Sequence, residues 1–150
     1  MDDLVDSIIE IMHQSNPEFD IIKEGHAPQE IFGDEMRIEQ VIINFLTNAI
    51  KYAPGTTEAW ITTEVRDEQV YVGVRDFGIG IDAAQQQSVF EKFFRVEETA
   101  IQFQGLGIGL YISAEIIRRH GGQVGVNSKL GEGSEFYFTI PIVPCPESNS

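Results

Sequence analysis

The feature that most constrains the fold of this sequence is a pair of stretches in which apolar or β-branched residues occupy every second position. The alternating residues are Ala59, Ile61, Thr63 and Val65, then Val70, Val72 and Val74. Only the short segment 66–68 separates the two stretches, so it predicts a turn. Alternation on both sides of a short turn predicts a β-hairpin with one buried face.

Other stretches predict the elements around this hairpin. Apolar residues at helical spacing predict helices over 2–14, 35–52 and 83–93, and a further helix opens at the glycines of 105–109 and runs to His120. Asp34 is a suitable N-cap, and Gly121-Gly122 a suitable C-terminal stop. A short strand is predicted near 19–23, and a second hairpin over about 124–142. We therefore predict an α+β sandwich, with a mixed, mostly antiparallel sheet and helices packed on one face, and not a Rossmann fold.

The length and composition indicate a single domain. The chain has 150 residues, and we expect the domain to occupy 1–143 and a disordered tail to occupy 144–150. Cys145 is the only cysteine, which excludes an internal disulfide. No apolar run approaches the roughly 20 residues that cross a bilayer, and the acidic start is unlike a secretory signal. These features lead us to expect a cytoplasmic protein.

The strong negative charge restricts the classes of ligand. A formal net charge of −14 argues against nonspecific binding to nucleic acid or to an anionic membrane surface. An acidic domain that binds a polyphosphate needs local cations, backbone N–H groups or a metal ion to offset repulsion. The polar motifs show where such groups would lie.

The first polar motif lies on the helix predicted over 35–52. Asn44, Asn48 and Lys51 are spaced by four and three residues, which puts them on one face. A carboxamide oxygen is a suitable ligand for Mg²⁺, and a lysine one turn on adds a positive charge for phosphate. The asparagines could equally be ordinary polar residues of the helix surface, so this motif is insufficient alone.

The second motif follows the predicted strand that ends in Val74. Asp76 is followed by Gly78 and Gly80, and glycines allow the backbone to approach a flat ligand closely. A buried aspartate at a strand end can accept a hydrogen bond from an exocyclic amine such as that of adenine. A simple strand-to-helix turn capped by Asp76 explains the same residues equally well.

The third motif is the glycine series at the start of the last helix. Gly105, Gly107 and Gly109 alternate with apolar residues, and N–H groups at a helix N-terminus bind phosphate oxygens. The series fits neither the dinucleotide-binding pattern nor the P-loop. A flexible hinge is the alternative interpretation.

The segment 90–95 contains three phenylalanines and two cations. Phe90, Phe93 and Phe94 have helical spacing typical of core packing, whereas Lys92 and Arg95 could reach phosphates if the following segment is a lid. His13, His26 and His120 have no patterned carboxylate partner, and we expect all three to be structural or exposed.

The order and spacing of these motifs resemble the catalytic domain of bacterial histidine kinases. The segments beginning at Asn44, Asp76, Phe90 and Gly105 resemble that family's N box, first glycine box, F box and second glycine box. Segment 131–134 is similar to a further glycine element that closes the adenine pocket. The resemblance covers about residues 2–142 and implies the Bergerat α/β sandwich with an ATP lid, as in gyrase and related ATPases.

The resemblance also implies ATP and Mg²⁺ as ligands, with a role for each matching residue. Asn48 would ligate Mg²⁺ with Asn44 beside it, Lys51 would lie near the phosphates, and Arg95 and Lys92 would contact the γ-phosphate. At the other end Tyr52 would lie against adenine and Asp76 would accept its amino hydrogen. The remaining residues of the implied nucleotide site are Gly78, Gly80, Ile81, Gly105, Leu106, Gly107, Gly109, Leu110 and Ser134.

The sequence differs from its implied relatives in two respects that affect the predicted reaction. Hydrolytic members place a glutamate where Asn44 stands, and because asparagine cannot act as a general base, phosphoryl transfer is favoured over hydrolysis. No helix carrying a phosphoacceptor histidine precedes the domain in this sequence. We therefore expect a histidine kinase catalytic domain that acts on a histidine of a separate dimerisation domain and serves a response regulator indirectly. A gyrase-type ATPase, a stand-alone Ser/Thr kinase of the anti-sigma type and a non-catalytic ATP-binding regulator are the alternatives.

Overall fold

A computed structural model describes residues 1–27, 33–51, 58–78, 86, 90, 108–129 and 131–142. The predicted helix over 83–93, apart from Gln86 and Phe90, and the predicted tail at 144–150 lie outside the described residues. Within this part of the chain the elements are α1 (Asp2–Ser15), β1 (Asp20–Gly25), α2 (Glu35–Lys51), β2 (Glu58–Arg66), β3 (Gln69–Asp76), α3 (Ile108–Arg119), β4 (Gln123–Lys129) and β5 (Gly133–Pro141). None of the described helices is both long and apolar enough to span a bilayer.

The strands form one mixed sheet. Its five strands lie in the order β1-β2-β3-β5-β4. β1 pairs with β2 in parallel, and every other pair is antiparallel. The α+β fold with a mostly antiparallel sheet is therefore confirmed.

The core lies between the sheet and the three described helices, on one face of the sheet. Fully buried side chains include Val5 and Ile8 of α1, Phe45 of α2 and Ile117 of α3. They pack with alternate residues of the strands, and the ring of Phe45 lies 5.9 Å from that of Phe136 and 6.2 Å from that of Phe138. Burying each such side chain contributes about 1.5–3 kcal/mol, so the helices are held chiefly by apolar packing.

Polar contacts fix the beginning of α2 and the end of α3. The Asp34 carboxylate accepts hydrogen bonds from the N–H groups of Met36 (3.1 Å) and Arg37 (3.3 Å), which confirms it as the N-cap. The N–H of Asp34 donates to His120 Nε2 (3.0 Å), while His120 Nδ1 lies 2.8 Å from the carbonyl of Ile116. A neutral ring protonated on Nδ1 satisfies both contacts, so His120 has the structural role expected of it.

The first hairpin differs from the prediction in two respects. Val65, expected on the buried face, is 39% exposed because it lies near the end of β2. The middle of β3 is buried on both faces, not one, since Tyr71 on the face away from the helices is only 5% exposed. The Tyr71 ring stacks on Tyr137 (5.3 Å), its hydroxyl donates to Glu135 (2.8 Å), and the guanidinium of Arg66 lies 4.0 Å from its centre. Side chains of the sheet itself thus cover the outer face of β3 around Tyr71.

Candidate nucleotide-binding site

The polar face of α2 contacts the first turns of α3. Asn44 Nδ2 donates to the carbonyl of Gly109 (3.3 Å) and to Ser113 Oγ (3.1 Å). Asn48 lies one turn further along α2 and is half-buried. α2 continues to Lys51, whose side chain lies outside the described part of the structure.

Asp76 lies at the end of β3 on the helix-bearing face, in alternation with Val72 and Val74. Its side chain is 3% exposed, and one carboxylate oxygen accepts a hydrogen bond from the N–H of Gly78 (2.9 Å). Burial raises the pKa of Asp76 to about 6, although N–H groups of Gly78 and Ser134 and the nearby Arg75 favour the charged form. A buried acceptor of this kind is stabilised by any further donor that a ligand supplies.

The start of β5 approaches the backbone of Asp76 closely. Gly133 has a φ of +96°, and a Cβ atom there would lie 2.1 Å from the carbonyl oxygen of Asp76. Ser134 pairs with Asp76 in the sheet, and its hydroxyl lies 2.7 Å from that of Ser128, which donates to the Gly133 carbonyl at 2.9 Å. Only glycine allows this approach, so Gly133 and Ser134 define one wall of the site around Asp76.

Gly109 differs from Gly133 because nothing in the described chain requires a glycine there. It is exposed, its φ is not left-handed, and an added Cβ would make only an ordinary 3.8 Å contact with Asn44. A glycine in a helix costs about 1 kcal/mol relative to alanine. A ligand that approaches the first turn of α3 closely would explain the residue. The next residue, Leu110, is half-buried and packs against the core.

The structure thus groups the described site residues into two clusters on the helix-bearing face of the sheet. One contains Asn44 and Gly109, with Asn48 one turn along α2, and the other contains Asp76, Gly78 and Ser134. The other predicted site residues lie outside the described residues, and their roles stay predictions: Tyr52, Gly80, Ile81, Lys92, Arg95, Gly105, Leu106 and Gly107.

Two further residues, Phe90 and Ser113, can be compared with what the sequence predicts. Phe90 packs edge-on against Phe136 (6.1 Å between ring centres), so its predicted core role is confirmed. Ser113, fully buried and bonded to Asn44, was missed by sequence analysis. The available signal was weak: a serine within the apolar stripe of a helix, 69 residues away from its partner.

Comparison with known proteins identifies the family. Residues 33–144 match the family model described as "Histidine kinase-, DNA gyrase B-, and HSP90-like ATPase", and the chain belongs to this family. The chain is 35% identical over 136 residues to the sensor-like histidine kinase SenX3 of Mycolicibacterium smegmatis, covering 90% of this chain and 35% of that protein. It is 41% identical over 113 residues to the adaptive-response sensory kinase SasA of a Synechocystis strain, covering 75% and 29% of the two chains.

Solved structures place the chain within the same branch of the family. The catalytic domain of histidine kinase ThkA superposes with a TM-score of 0.81 at 27% identity, covering 95% of each chain. Full-length ShkA in complex with AMPPNP superposes with a TM-score of 0.80 at 29% identity, covering 95% of this chain and 30% of that one. The chain therefore corresponds to the ATP-binding catalytic domain of a sensor histidine kinase, and it spans about a third of the length of the curated relatives it matches.

Proposed function

We propose that this domain binds Mg²⁺·ATP and transfers the γ-phosphoryl group to a histidine on a separate dimerisation domain, with a response regulator as the later recipient. The observation that carries the proposal is the buried carboxylate of Asp76, held beside the glycine wall of β5 and on the same sheet face as the polar surface of α2 and α3. Phosphoryl transfer needs positioned charges more than covalent chemistry, and both clusters offer positioned polar groups. We place this activity in the cytoplasm, where ATP is available.

The Asp76 cluster suits the adenine end of the nucleotide. Because burial disfavours the charge of Asp76, a donor such as the adenine amino group would be strongly preferred over no partner. Gly78 and Ser134 keep the carboxylate oriented through their N–H groups. Tyr52, Gly80 and Ile81 are proposed to complete the pocket.

The α2–α3 cluster suits the phosphate end. The carboxamide oxygen of Asn48 is a ligand of the type that Mg²⁺ accepts, and bound Mg²⁺ would neutralise charge on the triphosphate. The exposed N-terminal turn of α3 at Gly109 allows backbone N–H groups to approach phosphate oxygens. The cations Lys51, Lys92 and Arg95 are proposed to supply further positive charge in this acidic domain.

Transfer is favoured over hydrolysis by the chemistry of Asn44. A carboxamide has no basic group that could take a proton from water. In this structure its NH₂ is also occupied by Gly109 and Ser113 of α3. We therefore expect slow steady-state hydrolysis, and rapid ATP turnover by the domain alone would contradict the transferase assignment in favour of an ATPase.

Asn48→Ala tests the proposal. Isothermal titration calorimetry should show that wild-type protein binds Mg²⁺·AMPPNP, and that the variant loses most of this affinity while still binding adenosine through the Asp76 cluster. Asn127→Ala, which truncates an exposed asparagine of β4, is the matched control and should bind like wild type. Unchanged Mg²⁺·AMPPNP affinity in Asn48→Ala would refute the metal assignment.

A further inference from the structure

The contact between Asn44 and α3 has a defined chemical orientation. The carbonyl of Gly109 can only accept a hydrogen bond, so the end of the Asn44 carboxamide that faces it must be the NH₂ group. Ser113 provides the second acceptor for the same NH₂ group. Two partners on successive turns of α3 therefore fix the rotation of the Asn44 carboxamide.

Ser113 is unusual for its position on α3. Its neighbours on the buried side of the helix are Ala114, Ile116 and Ile117, all of which pack in the interior, and Ser113 itself is fully buried. A buried hydroxyl is costly unless it is hydrogen-bonded, and in this structure the Asn44 NH₂ donates to it. The hydrogen bond to Asn44 of α2 therefore explains a serine at this buried position better than apolar packing does.

The contact joins the two helices that carry the proposed phosphate end of the site. Gly109 lies in the first turn of α3, and Asn44 lies one turn before Asn48 on α2. A second contact, the hydrogen bond from the N–H of Asp34 to His120, joins the residue before α2 to the residue after α3. The relative placement of α2 and α3 is thus fixed by polar contacts at two points.

We propose that Ser113 is a positioning residue that makes triphosphate binding, but not adenine binding, depend on its contact with Asn44. This inference rests on the proposed function. Ser113 and the Gly109 carbonyl hold the first turn of α3 at a set distance from the polar face of α2. Backbone N–H groups of that turn can then bind the same triphosphate whose Mg²⁺ ion Asn48 ligates. The Asp76 cluster lies on β3 and β5 and makes no use of this contact.

A double-mutant cycle tests the role of Ser113. Ser113→Ala, Asn44→Ala and the double variant are titrated by calorimetry with Mg²⁺·AMPPNP and, separately, with adenosine. We expect Ser113→Ala to weaken Mg²⁺·AMPPNP binding about five-fold, the size of one neutral hydrogen bond, and to leave adenosine affinity unchanged. In the Asn44→Ala background the serine substitution should cause no further loss, because its partner is gone.

Thr63→Val is the matched control. It removes a fully buried hydroxyl of β2 that donates to Asp2 (3.3 Å) and to no residue of either cluster, and it should leave the ratio of the two affinities unchanged. The positioning role would be overturned, and only a packing role left, by either of two results. Ser113→Ala could weaken the binding of both ligands equally, or it could reduce Mg²⁺·AMPPNP affinity by the same factor with and without Asn44. Wild-type protein that bound neither ligand would instead refute the nucleotide assignment itself, and this inference with it.

Discussion

At the scale of single residues, Asp2 and Asp76 are both largely removed from solvent, but their surroundings act on their charges in opposite directions. Burial raises the pKa of Asp2, yet the N–H of Ala27 and the ammonium of Lys23 outweigh burial and bring it below its ordinary value. For Asp76 burial prevails and the pKa rises to about 6. Asp2 therefore stabilises the folded protein when ionised, whereas ionised Asp76 destabilises it.

Asp76→Asn should stabilise the protein and abolish adenosine binding. The folded protein holds the Asp76 proton more tightly than the unfolded chain, so the cost of this residue grows as pH rises from 3.8 to about 6 and is constant above that. Urea unfolding should show a gain on the order of 1–2 kcal/mol at about pH 7.5 that disappears near pH 4.

Asp20→Asn, at an exposed position of β1, is the control and should show no such pH-dependent gain. A loss of stability in Asp76→Asn at neutral pH would mean that the hydrogen bonds from Gly78 and Ser134 outweigh the cost of burial.

Some of these residue contacts could be predicted from the sequence, and others could not. Asp76 and the capping role of Asp34 were predictable because each depends on residues close in sequence. The partnership of Asn44 with Ser113 was not, since it depends on how two helices pack. The burial of Tyr71 by Tyr137 likewise follows from the pairing of β3 with β5, which periodicity alone does not specify.

At the scale of elements, the turn between β2 and β3 carries an unfavourable backbone geometry. Asp67 and Glu68 have φ values of 51° and 64°, in the left-handed region that suits glycine, asparagine and aspartate. Positive φ at both turn residues matches the twist of the two strands. Aspartate tolerates this conformation, so the unfavourable residue is Glu68. The sequence predicted the turn from the alternation on both sides, but not its handedness.

Glu68→Gly should stabilise the hairpin. Relief of the left-handed conformation is worth about 1–2 kcal/mol, and the greater entropy of glycine in the unfolded chain offsets part of that, so we expect a net gain of about 0.5–1 kcal/mol in urea unfolding. Glu132→Gly, in the turn before β5, is the control: Glu132 is exposed and its φ is not positive, so the same substitution should lower stability. Equal effects of both substitutions would contradict the backbone argument.

The parallel pairing of β1 was another feature that the sequence left open. Short turns predicted the two hairpins, which fixed the antiparallel pairs β2–β3 and β4–β5 but not the pair β3–β5. β1 is separated from β2 by α2, and nothing local to β1 determines its partner or direction. A mixed sheet was therefore predicted only in general terms.

At the scale of the whole molecule, a net charge of −14 disfavours the compact state through repulsion. Ion pairs offset part of this repulsion. For example, the ammonium nitrogen of Lys23 lies 3.4 Å from a carboxylate oxygen of Asp2 and 3.1 Å from one of Asp6. Such partly exposed pairs contribute little individually, so repulsion should dominate the response to salt.

Raising NaCl from about 20 to about 200 mM should therefore increase the midpoint of thermal unfolding, because the Debye length shortens and like charges are screened. Potassium chloride at the same ionic strength should give the same increase if screening is the cause. A decrease with salt would show that ion pairs such as those of Lys23 outweigh the net repulsion.

The folded domain extends beyond the region that the family model matches, because it includes the parallel strand β1 and the helix α1. The family match starts at residue 33, yet β1 and α1 lie before it, and the side chains of Val5 and Ile8 belong to the core. A fragment trimmed to the matched region would leave the backbone groups of β2 unpaired along the edge that β1 now covers. The edge of the sheet would then move from β1, which is short and charged, to the longer and more apolar β2. Long apolar edges recruit strands from other chains, so we expect a fragment without the first 27 residues to aggregate more readily.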